Sequence, residues 1–238
     1  FNHINKMNDS AEGFCHVESG FPKFNDKNER YKRIIQIWYG ESGGNPSKYE
    51  YDDYIGSMRE IEPNVNDIIN SSRISCFTKT PLNPTMWAHY ANSMTGICLE
   101  FDEEKMSELE EVYIFEVDYL ATPSTIDSAI ITLLNDQIGY NAAALQKGHM
   151  DGYEHLYEDG FRKCQSLIFN IFKNMLATKS KEWSYEQEKR MVYHLSFKQV
   201  DQRAKESEGG ITLSLPKNSL KNVILGEKTS EKDKEVII

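Results

Sequence analysis

No stretch of the sequence stays apolar for the roughly 18 residues that a membrane-spanning helix requires; its apolar runs are short and broken by charge. A membrane role is therefore not expected. Cysteine is sparse: Cys15, Cys76, Cys98 and Cys164 are scattered, with no Cys-x-x-Cys spacing. That argues against a zinc site and a disulfide framework, and no secretory signal precedes them. Cys76 and Cys98 lie in apolar, strand-like runs where a free thiol acts as a small hydrophobe, so a reduced cytoplasm is the expected setting. Basic charge is short too, with 27 Lys and Arg against 37 Asp and Glu and a net charge of −10. An acidic surface repels phosphate backbones, which disfavours general nucleic-acid binding. Lys173, Lys179, Lys181, Lys189 and Arg190 form the one basic stretch, and solvated lysines around a helix end are the plain reading of it. Internal repeats are missing, which excludes solenoids.

Aromatics, by contrast, are plentiful, with 13 Tyr, 11 Phe and 3 Trp among 238 residues, enough for a substantial globular core. Tyr31, Ile34, Ile35 and Trp38 at helical spacing predict a helix over 27–39, stopped by Gly40; Glu41 to Asp53 reads as a loop. A short helix follows Pro63, and a strand is expected from Arg73 to Lys79. Thr85 to Tyr90 reads as a short turn or helix. Thr95 to Asp102 and Glu111 to Tyr119 alternate with period two, predicting strands with one face on a core. Ser124 and Asp127 resemble a capping box opening a helix that ends near Gly148. A second long helix from about Tyr153 to Leu176 carries Leu156, Tyr157, Phe161, Cys164, Ile168, Ile171, Phe172 and Met175 as its stripe. Strands return at Gln187 to Leu195, Ile211 to Leu215 and Asn222 to Leu225, with a charged loop from Ser196 to Gly210. Strand blocks around a helical insert predict an α+β fold with a mixed, largely antiparallel sheet. No composition break divides the chain. One domain over 1–238 is expected, cut at both ends, since the chain opens at Phe1 and closes inside the apolar run ending at Ile238.

Two segments carry the groups suited to chemistry. Met86-Trp87-Ala88-His89-Tyr90 places an indole, an imidazole and a phenol on a turn between two strands. His89 suits acid–base work, while Trp87 or Tyr90 suits stacking on a planar ligand. The competing reading has Trp87 and Tyr90 plugging the core and His89 satisfying a carbonyl. In the second segment, Lys179 to Arg190, a strand entered at Glu186 puts Glu186, Glu188 and Arg190 on one face, opposite Met191, Tyr193 and Leu195. Two carboxylates beside a guanidinium suit recognition of ribose hydroxyls or a cation. A solvent-facing ladder of mixed charge is the alternative.

Together these segments resemble a bacterial domain-of-unknown-function family, the one numbered 2971. Its members carry a Met-Trp-Ala-His-Tyr core, then Gly and a strand ending in Phe-Asp, and later Lys-Ser and Trp-Ser-Tyr-Glu-x-Glu-x-Arg; here these are Met86 to Asp102 and Lys179 to Arg190. Met7-Asn8-Asp9-Ser10-Ala11-Glu12 looks like the family's Asn-Asp-Pro-x-Glu opening, with Ser10 in place of Pro, and Asn222 to Gly226 matches a further family strand. Members usually have one more strand and helix before that opening. The late Glu-x-Glu also resembles that of ADP-ribosyltransferase-like, NAD-using folds. This resemblance implies Glu188 on the ribose hydroxyl, Glu186 positioning the acceptor, Trp87 or Tyr90 stacking, and His89 on the ribose or amide. Arg190 and Lys179 complete the expected ligand-binding set, with a small-molecule nucleotide or protein target as partner. Two other expectations stand beside it. One is a metal-dependent phosphate-processing enzyme in phage defence, using Asp9, Glu12, Glu100, Glu186 and Glu188; the other is a non-enzymatic ligand- or partner-binding module. No metal site is predicted from spacing.

Overall fold

The structure is a computed structural model that describes residues 1–7, 13–25, 27–40, 44–109, 112–147, 152–196, 204–207 and 210–237. The chain opens with β1 (Asn2–His3), β2 (His16–Glu18), α1 (Glu29–Tyr39), α2 (Lys48–Glu60) and α3 (Val65–Asn70). Next come β3 (Ser72–Thr78), α4 (Pro84–Tyr90), β4 (Ile97–Phe101), α5 (Glu103–Met106), β5 (Val112–Glu116) and β6 (Asp118–Leu120). β7 (Thr125–Asp127) leads into α6 (Ser128–Lys147) and α7 (Glu154–Leu176). β8 (Thr178–Ser180), a 3-10 helix (Lys181–Glu186), β9 (Glu188–His194), β10 (Ala204–Ser207), β11 (Gly210–Leu213), β12 (Leu220–Leu225) and α8 (Glu231–Ile237) complete the order. The class is α+β, and the residues group into two compact units.

The first unit comprises Phe1–Gly13, Asn70–Thr122 and Ala177–Ile238. Its sheet has six antiparallel strands in the order β10-β11-β1-β3-β9-β5. β9 lies between β3 and β5, pairing Thr78 with Glu188, Cys76 with Arg190, and Phe115 with Arg190 on the other side. Both faces of β9 are covered, so Met191, Val192 and Tyr193 are buried together with Glu188 and Arg190. β1 reaches only Arg73 and Ile74, leaving the Cys76–Thr78 end of β3 beyond it. β4 pairs with β12, and β6 runs parallel to β8.

The second unit comprises Phe14–Ile69 and Pro123–Leu176. Its core gathers Tyr31, Ile34 and Ile35 of α1, Tyr51, Ile55 and Met58 of α2, and Ala129, Ile130, Leu133 and Leu134 of α6. Trp38 stacks on Tyr54 at 4.1 Å between ring centroids. Arg30 ties β7 to α1 by a paired contact on Asp127, at 2.6 and 2.7 Å.

Several sequence expectations need correcting. The loop expected over Glu41 to Asp53 contains the start of α2. Ser47 and Glu50 cap each other's backbone N–H at 3.2 and 2.7 Å, a capping box that overrides the surrounding polarity; residues 41–43 lie outside the described residues. Ser124 does not cap α6. Asp127 does, accepting from the N–H groups of Ala129 and Ile130, while Ser124 donates to the carbonyl of Asn174. The strand expected over Glu111 to Tyr119 breaks at Val117 into β5 and β6, which join different sheets; Glu111 lies outside the described residues. Ile97 and Leu99, expected on a core face, are exposed; Phe101 of the same face joins the core, edge-on to Phe77 at 5.9 Å. Within the stretch expected as a loop after Ser196, residues 204–207 pair with β11; residues 197–203, 208 and 209 lie outside the described residues.

Candidate functional site

The second motif begins at β8 and turns through the 3-10 helix into β9. The expected strand entry at Glu186 is corrected: Glu186 closes the 3-10 helix, Gln187 adopts a left-handed φ of 46°, and the strand starts at Glu188. The left-handed residue reverses the chain just enough to bring the two carboxylates to one cation. Lys179 Nζ lies 2.6 Å from Glu186 Oε2 and 3.3 Å from Glu188 Oε2. Glu188 and Arg190 share a strand face, as expected, and Arg190 donates to both Glu188 oxygens, Nε at 2.8 Å and Nη2 at 3.3 Å.

This face is no solvent-facing ladder. Glu186 is 2% exposed, Glu188 4% and Arg190 0%. Charges taken so far from water persist only when paired and hydrogen-bonded, and here two anions face two cations. Burial pushes the Glu188 carboxyl up; hydrogen bonding and charge from Arg190, the Cys76 thiol and Lys179 outweigh it and hold the carboxyl below its ordinary value. Lys179 also sits 4.8 Å over the Trp183 ring.

The first motif meets this cluster through α4. Asn83 caps α4 by accepting from Thr85 and Met86, and its side-chain amide donates to the Tyr185 carbonyl at 2.5 Å. At the last residue of α4, the Tyr90 hydroxyl donates to Glu186 Oε1 at 2.6 Å. Trp87 is not among the residues lining the cavity described next; its indole N–H donates to the Pro81 carbonyl at 2.6 Å and fixes the loop before α4. His89 is exposed, edge-on to Tyr185 at 6.1 Å, and is not among the residues lining the cavity described next. The helical twist separates the neighbours: Tyr90 turns toward the carboxylates and His89 away.

A cavity of about 770 Å³ opens beside the cluster. Lys179, Glu186, Glu188, Tyr90, Thr78 and Cys76 form its polar wall, and Phe77, Phe101, Met86, Met106, Ile114 and Met191 contribute an apolar one. Arg190 supports this wall from behind. Of the other expected acids, Glu100 lines the same cavity and accepts from Asn222 at 2.7 Å; Asp9 and Glu12 lie outside the described residues. Among the described residues no group of three or more His, Cys, Asp or Glu side chains is placed to hold a metal ion.

Three contributors were not legible in the sequence. Tyr119 accepts from the Glu188 backbone N–H at 2.8 Å, Thr78 donates to the Glu186 carbonyl at 2.8 Å, and Cys76 bonds the Glu188 carboxylate. Each depends on strand register, which alternation alone does not fix.

No curated protein and no solved structure matches the chain. Residues 86–191, which run from the first residue of the Met-Trp-Ala-His-Tyr motif through α4 and β9, match one family. That segment, which holds Tyr90, Lys179, Glu186, Glu188 and Arg190, matches the family described as protein of unknown function (DUF2971).

Proposed function

We propose that the cavity binds a nucleotide, NAD, and that the protein is an ADP-ribosyltransferase-like enzyme. The observation that carries this reading is the pair of buried carboxylates, Glu186 and Glu188, held at the wall of a 770 Å³ cavity by one shared ammonium. Small-molecule sites span about 300–1,000 Å³ and combine apolar walls with a few fixed polar groups, which suits a dinucleotide. The residues fit NAD in type: carboxylates for ribose hydroxyls, and Lys6, Lys79 and Lys189 on the lining for phosphate charge. When bound, NAD supplies an electrophilic ribose carbon and a neutral leaving group.

Glu188, ionised and clamped by Arg190, supplies the fixed negative charge beside which positive charge can develop. Glu186 and Tyr90 line the acceptor side. Lys179 keeps the two anions together without mutual repulsion. The scattered cysteines, none of them in a disulfide among the described residues, support a cytoplasmic setting. The test is chromatographic assay of nicotinamide released from NAD by wild type and by Glu188→Gln. Release by wild type, reduced about 10²-fold or more in the variant, is expected; no release by wild type rejects the proposal.

A second reading, a non-enzymatic ligand-binding module, draws on Lys179 already occupying both carboxylates. Calorimetric binding of NAD without any turnover selects it.

A further inference from the structure

The polar groups at the cavity wall form a continuous chain from half-exposed to fully buried. Tyr90, 48% exposed, donates to Glu186 Oε1; Glu186 Oε2 takes Lys179; Lys179 reaches Glu188; Glu188 takes Arg190, which is 0% exposed. Glu188 is held by two cations and a thiol. Glu186, by contrast, has one of its two oxygens bonded to a phenol that itself faces the cavity. A phenol that touches ligand on one side and a carboxylate on the other is placed to pass a proton.

We propose that Tyr90 is a catalytic proton-transfer residue, with Glu186 as the base behind it. This rests on the reading that the cavity holds a hydroxyl-bearing substrate or acceptor. As the O–H bond of that hydroxyl breaks, its proton goes to the Tyr90 oxygen, the Tyr90 proton goes to Glu186 Oε1, and the bonding pair stays on the substrate oxygen. Negative charge thereby moves from Glu186 to the substrate oxygen, and Lys179 keeps Glu188 as its partner. The proton returns to solvent by the reverse path through the exposed phenol.

The charged and titratable groups around this pair come from several elements. They are His89 of α4, Tyr119 of β6, Lys179 of β8, Tyr185 of the 3-10 helix, Glu188 and Arg190 of β9, and Cys76 of β3. Lys179 takes Glu186 Oε2, the oxygen that the Tyr90 phenol does not use, so Tyr90→Phe removes the relay and leaves the Lys179 bridge standing.

The test uses the full chain labelled with 13Cζ-tyrosine, with the Tyr90 resonance assigned by its loss in Tyr90→Phe. Glu186→Asp keeps the charge and withdraws the carboxylate by one methylene. The expected result is a Tyr90 titration curve displaced between wild type and Glu186→Asp; superimposable curves overturn the pairing. Glu186→Gln serves as the second variant if Glu186→Asp does not fold. In nicotinamide release, Tyr90→Phe should keep KM near wild type, lose about 10²-fold in kcat, and lose the acid limb of the pH profile. Unchanged kcat and an unchanged profile overturn the catalytic role. If wild type releases no nicotinamide, the NAD reading fails while the resonance titration still decides whether Tyr90 and Glu186 act as a pair.

Discussion

Arg190 has no exposed surface and answers to Glu188 through a forked contact that a lysine does not reproduce. Arg190→Met takes from Glu188 its forked cation and leaves Lys179 and the Cys76 thiol, and a buried pair broken on one side costs about 3–5 kcal/mol. Urea melts should show a loss of that order; a loss under about 1 kcal/mol means water reaches the cluster. The pH response has a definite sign. The folded Glu188 carboxyl lies below its ordinary value of 4.5, so its ionisation stabilises the fold above that pH. The contribution fades as pH falls through the lowered folded value. The melting-temperature gap between wild type and Glu188→Gln should therefore be widest near neutral pH and shrink in acid; a gap constant from neutral pH into acid contradicts this. The sequence made Glu188 and Arg190 legible as one face, because strand side chains repeat every two residues. It could not reveal that the face is buried, since a mixed-charge face reads the same whether solvent or a cavity lies over it.

At the scale of elements, burial moves from where periodicity placed it. The stripe on α7 is the clearest helical pattern in the chain, yet Leu156 is exposed and Phe172 only half-buried. The first two turns of α6, Ser128 to Leu134, are instead buried on every side. Leu134→Ala should cost about 2–5 kcal/mol, and Phe172→Ala distinctly less than the about 3–5 kcal/mol of a fully buried Phe; denaturant melts of both variants reversing that order would place the core on α7. After α4 the chain makes a left-handed turn of three non-glycine residues, Asn92, Ser93 and Met94, with φ of 46°, 57° and 74°. Each such residue is disfavoured by about 1–2 kcal/mol. The turn is held from the far end of β12: Gly226 N–H donates to the Gly96 carbonyl at 3.0 Å and Lys228 N–H to the Met94 carbonyl at 2.9 Å. A Cβ at Gly226 would stand 2.1 Å from the Met94 oxygen, so only glycine allows the approach. Ser93→Gly should raise stability by up to about 1 kcal/mol, the relieved strain being partly offset by a freer unfolded chain. Equal or lower melting temperature for this variant would mean the serine side chain is itself held. The late Asn222 to Gly226 run was readable as a strand, but its role in bracing α4 was not, because the two are more than a hundred residues apart.

For the molecule as a whole, the net charge of −10 sets the long-range behaviour. No affinity tighter than micromolar for random duplex DNA is expected at about 0.15 M salt, because non-specific binding draws on basic surface. Filter binding that finds such affinity would point to a concentrated basic patch. The α+β class was legible from strand blocks around two helices. The grouping into two units was not, since each unit is assembled from separated stretches and no composition break marks the joins. That interleaving bears on synthesis. β9 lies between β3 and β5 yet follows β3 by more than a hundred residues, so at about 5–20 residues per second the ribosome delivers it roughly 6–23 s later. Until then the two strands that will flank it lack the partner that joins them. Lys179, Glu186, Glu188 and Arg190, however, emerge within one short stretch, anions and cations almost together. The nascent sheet therefore receives its buried charges as an already neutral package, and never has to enclose an acid whose cation is still unmade.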